Sequence, residues 1–481
     1  MGPPLYLLSD LALPSYQGDR WQHSHFYMEF FEIKGAVQDS NPRYHCQDPP
    51  TRPLEPLSPS QIGDEGASGL GSGLANCINL SKLELYLHNN KIDDQGVSGL
   101  GYGLANCINL SNLILHLDVN QIGNDGASGL GSGLAKCINL SNLTLYLSQN
   151  QISDEGASGL GSGLAKCINL SNLTLVLFEN SIGDDGASGL CSDLQYCINL
   201  SNLTIDLSSN YIYETGASSL GSDLANCNNL SNLTLDLCWN QIGAKGASGL
   251  SSGLAKCIDL QNLTLKLNHN QIDDKGASDL GFGLANCINL TLDLSYNQIG
   301  DKGASDLGFG LANCINLTLD LSSNQIGAIG VSVLGSALVN LTNLSNLTLD
   351  LSYYKMGSFS VSGLGSQLAN CINLSNLTLV LNANQMGDED ASCLGSSLAN
   401  CINLSNLTLD LHENKIGDEG ASGLGSSLAN CINLSNLTLN LRGNQIGAIG
   451  LSGLGSAIAN CNNLLRLILE VRQKQFIIIG L

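Results

Sequence analysis

Glycine returns at residues 66, 96, 126, 156, 186, 216, 246 and 276, one step of 30 after another, and this spacing constrains the fold more than any other feature of the chain. Two steps of 27 follow, to Gly303 and Gly330, because the Ser-Asn-Leu ahead of Thr-Leu-Asp-Leu is missing there; steps of 30 then run through Ser360, Asp390, Gly420 and Gly450. A unit this short cannot bury a core alone, so the period predicts a solenoid in which each unit seals the next. A length of 481 residues would ordinarily imply several compact domains, but it loses that meaning in an array.

Each unit carries two hydrophobic periods. Leu143, Leu145 and Leu147 alternate with Thr144, Tyr146 and Ser148, the pattern of a strand with one buried face. Ala157, Leu160, Leu164 and Cys167 then form one stripe of a helix. Every unit is therefore strand, loop, helix, and about fourteen of them stack into a parallel sheet on the concave face and helices on the convex face. The helices are rich in Gly and Ser, so they depend on packing rather than on propensity.

Asn closes the strand from Asn90 through Asn444, with Tyr354 the exception, and a short amide there can satisfy backbone groups of its own turn and of the neighbouring coil. The run from Leu145 to Leu160, L-Y-L-S-Q-N-Q-I-S-D-E-G-A-S-G-L, resembles the ribonuclease-inhibitor-like class of leucine-rich repeats over roughly four fifths of the chain. That resemblance implies an α/β leucine-rich-repeat solenoid of the horseshoe kind that binds protein. Most units carry a slightly longer strand segment than that class. Similar arrays also accompany protein-kinase domains in single-celled eukaryotes, but no H-R-D, D-F-G or kinase-type Lys motif occurs here.

All nine prolines fall between Pro3 and Pro59. They divide a Pro- and aromatic-rich segment, 1–52, irregular or poorly ordered, from the solenoid, 53–481. Leu54 and Leu57 align with strand leucines, and Pro53, Pro56 and Pro59 between them suit an edge at 53–60. The end at 465–481 is weakly capped: after Leu467 to Val471 comes an apolar Phe476 to Leu481, read as a makeshift cap, a partner's seat or an early end. No basic signal-peptide region and no apolar run near 18 residues occurs, which predicts a cytoplasmic protein.

Positive residues are scarce: 19 Lys and Arg stand against 41 acids, for a formal net charge of -22. That balance excludes nucleic acid and anionic membrane as natural partners and favours a basic protein. Thirteen of the seventeen cysteines occupy one position on the buried stripe, and Leu341 fills the same slot once, so they are expected to be reduced core residues. The Gly-rich runs lack the Lys of a phosphate loop and are assigned to helix packing. His23, His25, His45 and Cys46 match no common zinc spacing. No cofactor and no catalytic set is predicted.

The candidate binding site is a pair of columns. Between the last two strand leucines stand Asp206, Asp236, Lys266, Asp293, Asp320 and Asp350, after Tyr86, His116, Tyr146 and Val176. At about 4.8 Å between strands, Asp293, Asp320 and Asp350 form a ladder of like charges. Three positions on, at the rim, stand Trp239, His269, Tyr296 and Tyr353, and aromatics beside charge are usual in binding hot spots. The competing reading is duplication of a solvated face. The stretch Ser352 to Phe359 breaks the Asn and Gly columns, as a kink or a second contact. The resemblance also admits a Ran-type GTPase-activating role, which would rest on Arg442, or inhibition of a basic enzyme such as a ribonuclease.

Overall fold

A computed structural model describes residues 62–354 and 358–472, with the side chains of 358–360 excepted. The segment 1–52 with its histidines, the proline edge at 53–60 and the apolar stretch 473–481 lie outside the described residues. Fourteen five-residue strands, from β1 (Lys82–Tyr86) to β14 (Arg466–Glu470), alternate with fourteen helices, from α1 (Gly63–Leu74) to α14 (Ala448–Ile458). The strands form one open parallel sheet in chain order, and each leucine pairs with its counterpart one unit on, as Leu83 does with Leu113 and Leu143 with Leu173. The leucines of strands and helices close a single core along the array.

Hydrogen bonds reach from each unit to the next. In the strand-exit turn the Asn120 amide donates to the carbonyls of Leu87 (2.9 Å) and Leu117 (2.9 Å), while its oxygen accepts from the backbone of Asn90 and Ile92, both at 3.0 Å. At the helix start the Asp94 carboxylate accepts from Gly123 N (2.7 Å) and Gly126 N (2.8 Å) of the following unit. Asp154, Asp274 and Asp388 cap the following helix in the same way. A carboxylate at a helix N-terminus satisfies orphan N–H groups and meets the positive end of the dipole. Part of the acidic excess therefore stabilises the array itself, a use that the composition alone had assigned to a basic partner.

The cysteine column does more than fill space. The thiol of Cys107 donates to the Leu74 carbonyl (3.4 Å) and that of Cys137 to Leu104 (3.2 Å), again one unit back. Every described cysteine is free, and burial pushes the Cys137 and Cys167 thiols up to about 12, so they stay protonated and unreactive.

Glycine sets the distance between helices. A Cβ on Gly163 of α4 (Asp154–Leu164) would lie 2.2 Å from the carbonyl oxygen of Gly131 and 2.6 Å from its Cα, in α3 (Asn124–Leu134). Gly103, Gly133 and Gly253 meet the preceding helix likewise. Backbone touches backbone here, with no side chain between the two helices. Twelve of the thirteen helix junctions, from Gly71 with Gly103 to Gly425 with Ala457, have glycine on at least one side of this contact. The thirteenth sets Cys191 against Asp223, and there α5 (Asp184–Ser192) ends after nine residues and a three-residue 3-10 turn, Leu194–Tyr196, follows.

Tyr354, in the place of the turn Asn, is buried, and its phenol takes over the amide's work: the hydroxyl donates to the Leu321 carbonyl and accepts from Asn324 N at 3.2 Å. The hydrogen-bonded column is thus continued at Tyr354; residues 355–357, in the stretch read as a kink or a second contact, lie outside the described residues.

Candidate binding face

Three side chains of each strand face away from the core. The first is Asn: from Asn142, whose amide donates to the Asn112 oxygen (2.5 Å), to Asn436, which donates to Asn406 (2.5 Å), these residues make a continuous ladder along the sheet. They are the Asn of the repeated N-x-T triplets, and an amide held in such a ladder is poorly placed to serve as a glycosylation acceptor. The second column is mostly Thr. A shallow groove crosses three strands here, lined by Asn316, Asn346 and Asn376 with Thr318, Thr348 and Thr378.

The third column holds the acidic ladder. Asp206 pairs in register with Asp236, Asp236 with Lys266, Lys266 with Asp293, Asp293 with Asp320 and Asp320 with Asp350. These carboxylates lie deeper than a solvated ladder. Asp350 is only 7% exposed, and each carboxylate turns back on its own strand-exit loop: Asp206 accepts from Ser208 N (2.9 Å), Asp293 from Ser295 N (3.0 Å) and Oγ (2.8 Å), Asp320 from Ser322 N (2.9 Å) and Asp350 from Ser352 N (3.0 Å). Asp236 accepts from Cys238 N (3.1 Å) and takes the Lys266 ammonium at 2.9 Å. Burial works against the Lys266 charge, yet Asp236 beside it holds its pKa above the ordinary value.

Burial, and then the neighbouring carboxylate, push both Asp206 and Asp293 up to about 6, with Asp236 the neighbour of the first and Asp320 of the second. The native state therefore holds these protons more tightly than the unfolded chain. Their contribution to stability is full below the ordinary carboxylate pKa of about 4 and is lost as pH rises through about 6. Asp293→Asn should accordingly raise the urea midpoint at pH 8, by an amount on the order of 2 kcal/mol shared with its coupled neighbour, and the gain should vanish below about pH 4. Urea titrations of both proteins across pH 3.5–8 check it; a gain that does not depend on pH would contradict it.

The rim column forms an ordered stack. The rings of Trp239 and His269 lie 3.7 Å apart and those of His269 and Tyr296 4.3 Å apart, each pair within 13° of parallel. Tyr353 follows two units on, beyond Ser323, and is exposed. All four aromatics have left-handed backbone, φ 53–65°, a conformation that Gly443 supplies in the corresponding turn of a later unit. The same position has left-handed backbone in most other units, at Val119, Gln149, Glu179, Ser209, Ser323, Ala383 and Glu413 among them, so the conformation belongs to the strand-exit turn of the repeat, whichever residue fills it.

A second stack was not singled out from the sequence. Tyr86, His116 and Tyr146, in the third column of β1 (Lys82–Tyr86), β2 (Asn112–His116) and β3 (Asn142–Tyr146), stack at 4.3 and 4.5 Å. Three aromatics at one repeat position in successive units were the available signal. Arg442 reaches Glu470 at 3.9 Å. Among the described residues no group of His, Cys, Asp and Glu is placed to hold a metal, and no helix is long and apolar enough to cross a membrane.

Parallel strands in chain order, a helix after each, and an asparagine at every turn but Tyr354's define the class: the chain is an α/β leucine-rich-repeat solenoid. Eight stretches match the model described as Leucine Rich repeat, at residues 139–161, 169–191, 229–251, 259–281, 286–308, 313–335, 403–425 and 433–455. No curated protein matches the chain. Among solved structures it is similar to internalin C2 of Listeria monocytogenes, at 26% identity over 47% of this chain and 83% of that one with a TM-score of 0.28. It is also similar to a chain of the yeast Rad7 and Elc1 complex, at 18% identity over 80% of this chain and 84% of that one with a TM-score of 0.40. Likeness at those scores says nothing of what this chain binds; leucine-rich repeats in general mediate contacts between proteins.

Proposed function

We propose that the chain is a non-catalytic, cytoplasmic protein-binding scaffold, and that the sheet face and rim between Asp206 and Tyr353 hold a basic protein or peptide. The observation that carries this reading is the rim stack of Trp239, His269 and Tyr296, with Trp239 and Tyr296 exposed, beside a ladder of five carboxylates and one lysine. Guanidinium and ammonium groups bind aromatic rings and carboxylates together, and Arg and aromatic residues dominate binding hot spots. Inhibition of a basic enzyme, as the ribonuclease-inhibitor-like resemblance suggests, is one case of such binding.

Trp239 and Trp21 are the only tryptophans, so a Trp21→Phe chain reports on the rim alone. Titrating it at low salt with an arginine-rich peptide should shift Trp239 emission, and an acidic peptide of equal length should not. Replacing Asp293, Asp320 and Asp350 together by Asn should weaken the arginine peptide by about tenfold or more, and salt should weaken it further. Equal affinity of both proteins for the peptide would sink the reading.

A further inference from the structure

The turn that leads from each helix into the next strand carries an exposed isoleucine. It stands at Ile78, recurs in eleven of fourteen units through Ile432, and yields only to Asn228, Thr342 and Asn462; its exposure runs from 39% to 89%. Scattered surface isoleucines need no explanation, but eleven at one repeat position do. The row is also rigid. The Asn109 amide donates to the Ile78 carbonyl at 2.8 Å, Asn139 to Ile108 at 2.7 Å and Asn403 to Ile372 at 2.6 Å, so each turn is tied to the one before it.

Charge is sorted to the opposite edge. The helix-to-strand turns hold two acids, Asp193 and Asp259, with Lys136, Lys166 and Lys256, whereas the helix N-termini carry acids in most units, from Asp64 and Glu65 to Asp418 and Glu419. A chain of net charge -22 can therefore present this edge to another acidic body while its own acids stay on the far side.

We infer that the isoleucine row is the interface of a homodimer, in which a second copy of this chain lies edge to edge and antiparallel. A row of regularly spaced knobs is matched over its whole length by a row of the same spacing, and another copy supplies one. Twofold pairing sets the same patch against itself, as closed symmetry requires. Eleven isoleucines at these exposures offer on the order of 800 Å² per copy, the usual size of a stable interface. The pre-set turns leave little to order on association. The sheet face and aromatic rim are on other surfaces of the unit and stay open.

Sedimentation of the full chain from about 1 to 100 µM tests this, at 150 and 500 mM NaCl. A reversible dimer of the 50.4 kDa chain, tighter at the higher salt because like charges are then screened, is expected. Ile108→Asn, Ile138→Asn and Ile168→Asn combined should weaken it at least tenfold. Asn already fills this slot at 228 and 462, so the fold should tolerate the change, as circular dichroism and the thermal midpoint would show. A chain that stays monomeric at 100 µM, whether its row is bare or covered by another segment of the same chain, overturns the inference. So does a triple-Asn chain that dimerises as before, or a dimer lost on replacing Asp293, Asp320 and Asp350 by Asn.

Discussion

Gly163→Val should destabilise the array by about 3 kcal/mol or more, the largest effect expected of any single substitution here. Its Cβ alone would stand 2.2 Å from the Gly131 oxygen and 2.3 Å from the carbonyl carbon, and both are backbone atoms that no rotamer change can move. Relief requires α4 to tilt away from α3, which opens the core beneath Leu160 and Leu164. Because each unit is held by its neighbours, that tilt weakens both junctions of α4. Gly73 supplies the control. It occupies the same repeat position in α1, yet among the described residues nothing lies within 4 Å of a Cβ built there, so Gly73→Ala should instead add up to about 1 kcal/mol through helix propensity. Urea unfolding of the two variants checks both signs; similar shifts in the same direction would show that the glycine column is not a packing device.

Asn240→Leu should cost about 3 kcal/mol. The Asn240 side chain is buried, donates to Leu207 O (3.0 Å), Leu237 O (3.1 Å) and Cys238 O (3.2 Å), and accepts from Ile212 N (2.9 Å). Leucine, of similar volume, leaves those backbone groups without partners in a site sealed from water. Asn240→Asp separates hydrogen bonding from shape. An ionised carboxylate would face three carbonyl oxygens, so this variant should lose more at pH 8 than at pH 4, where the protonated acid can still donate once. Thermal midpoints at the two pH values decide it; equal losses would mean that the turn is held by packing rather than by these bonds.

Much of the architecture was legible because the period states which residues are neighbours. Once units of 30 are aligned, Leu143 must lie beside Leu173 and Asp293 beside Asp320, and strand, helix and buried cysteine follow from the two hydrophobic periods. Depth and direction were not legible. Asp350 reads as a solvated charge in a period-2 pattern, but its carboxylate folds onto Ser352. Asp94 reads as one surface acid among many, and its role appears only when the next helix is placed over it. That the Asn column from Asn112 to Asn436 is bonded amide to amide appears only when the strands are set side by side. The isoleucines that follow most cysteines of the column stand exposed because of the turn geometry, which the hydrophobic periods do not show. At the candidate site the period aligned the columns strand by strand, yet it could not show that Trp239, His269 and Tyr296 share one stack.

The braces described above, from turn asparagine, helix-start carboxylate, thiol and strand amide, each reach one unit and no further. Excising one whole unit therefore leaves every brace with a partner of the same kind, whereas losing a fraction of a unit breaks all four at once. Such a chain can lengthen or shorten by recombination between its own near-identical segments and keep its chemistry. Its reach along the axis is then a quantity that selection can adjust separately from the surface it presents. The glycine contact restricts such joins, since twelve of the thirteen junctions have a residue without a side chain on at least one side.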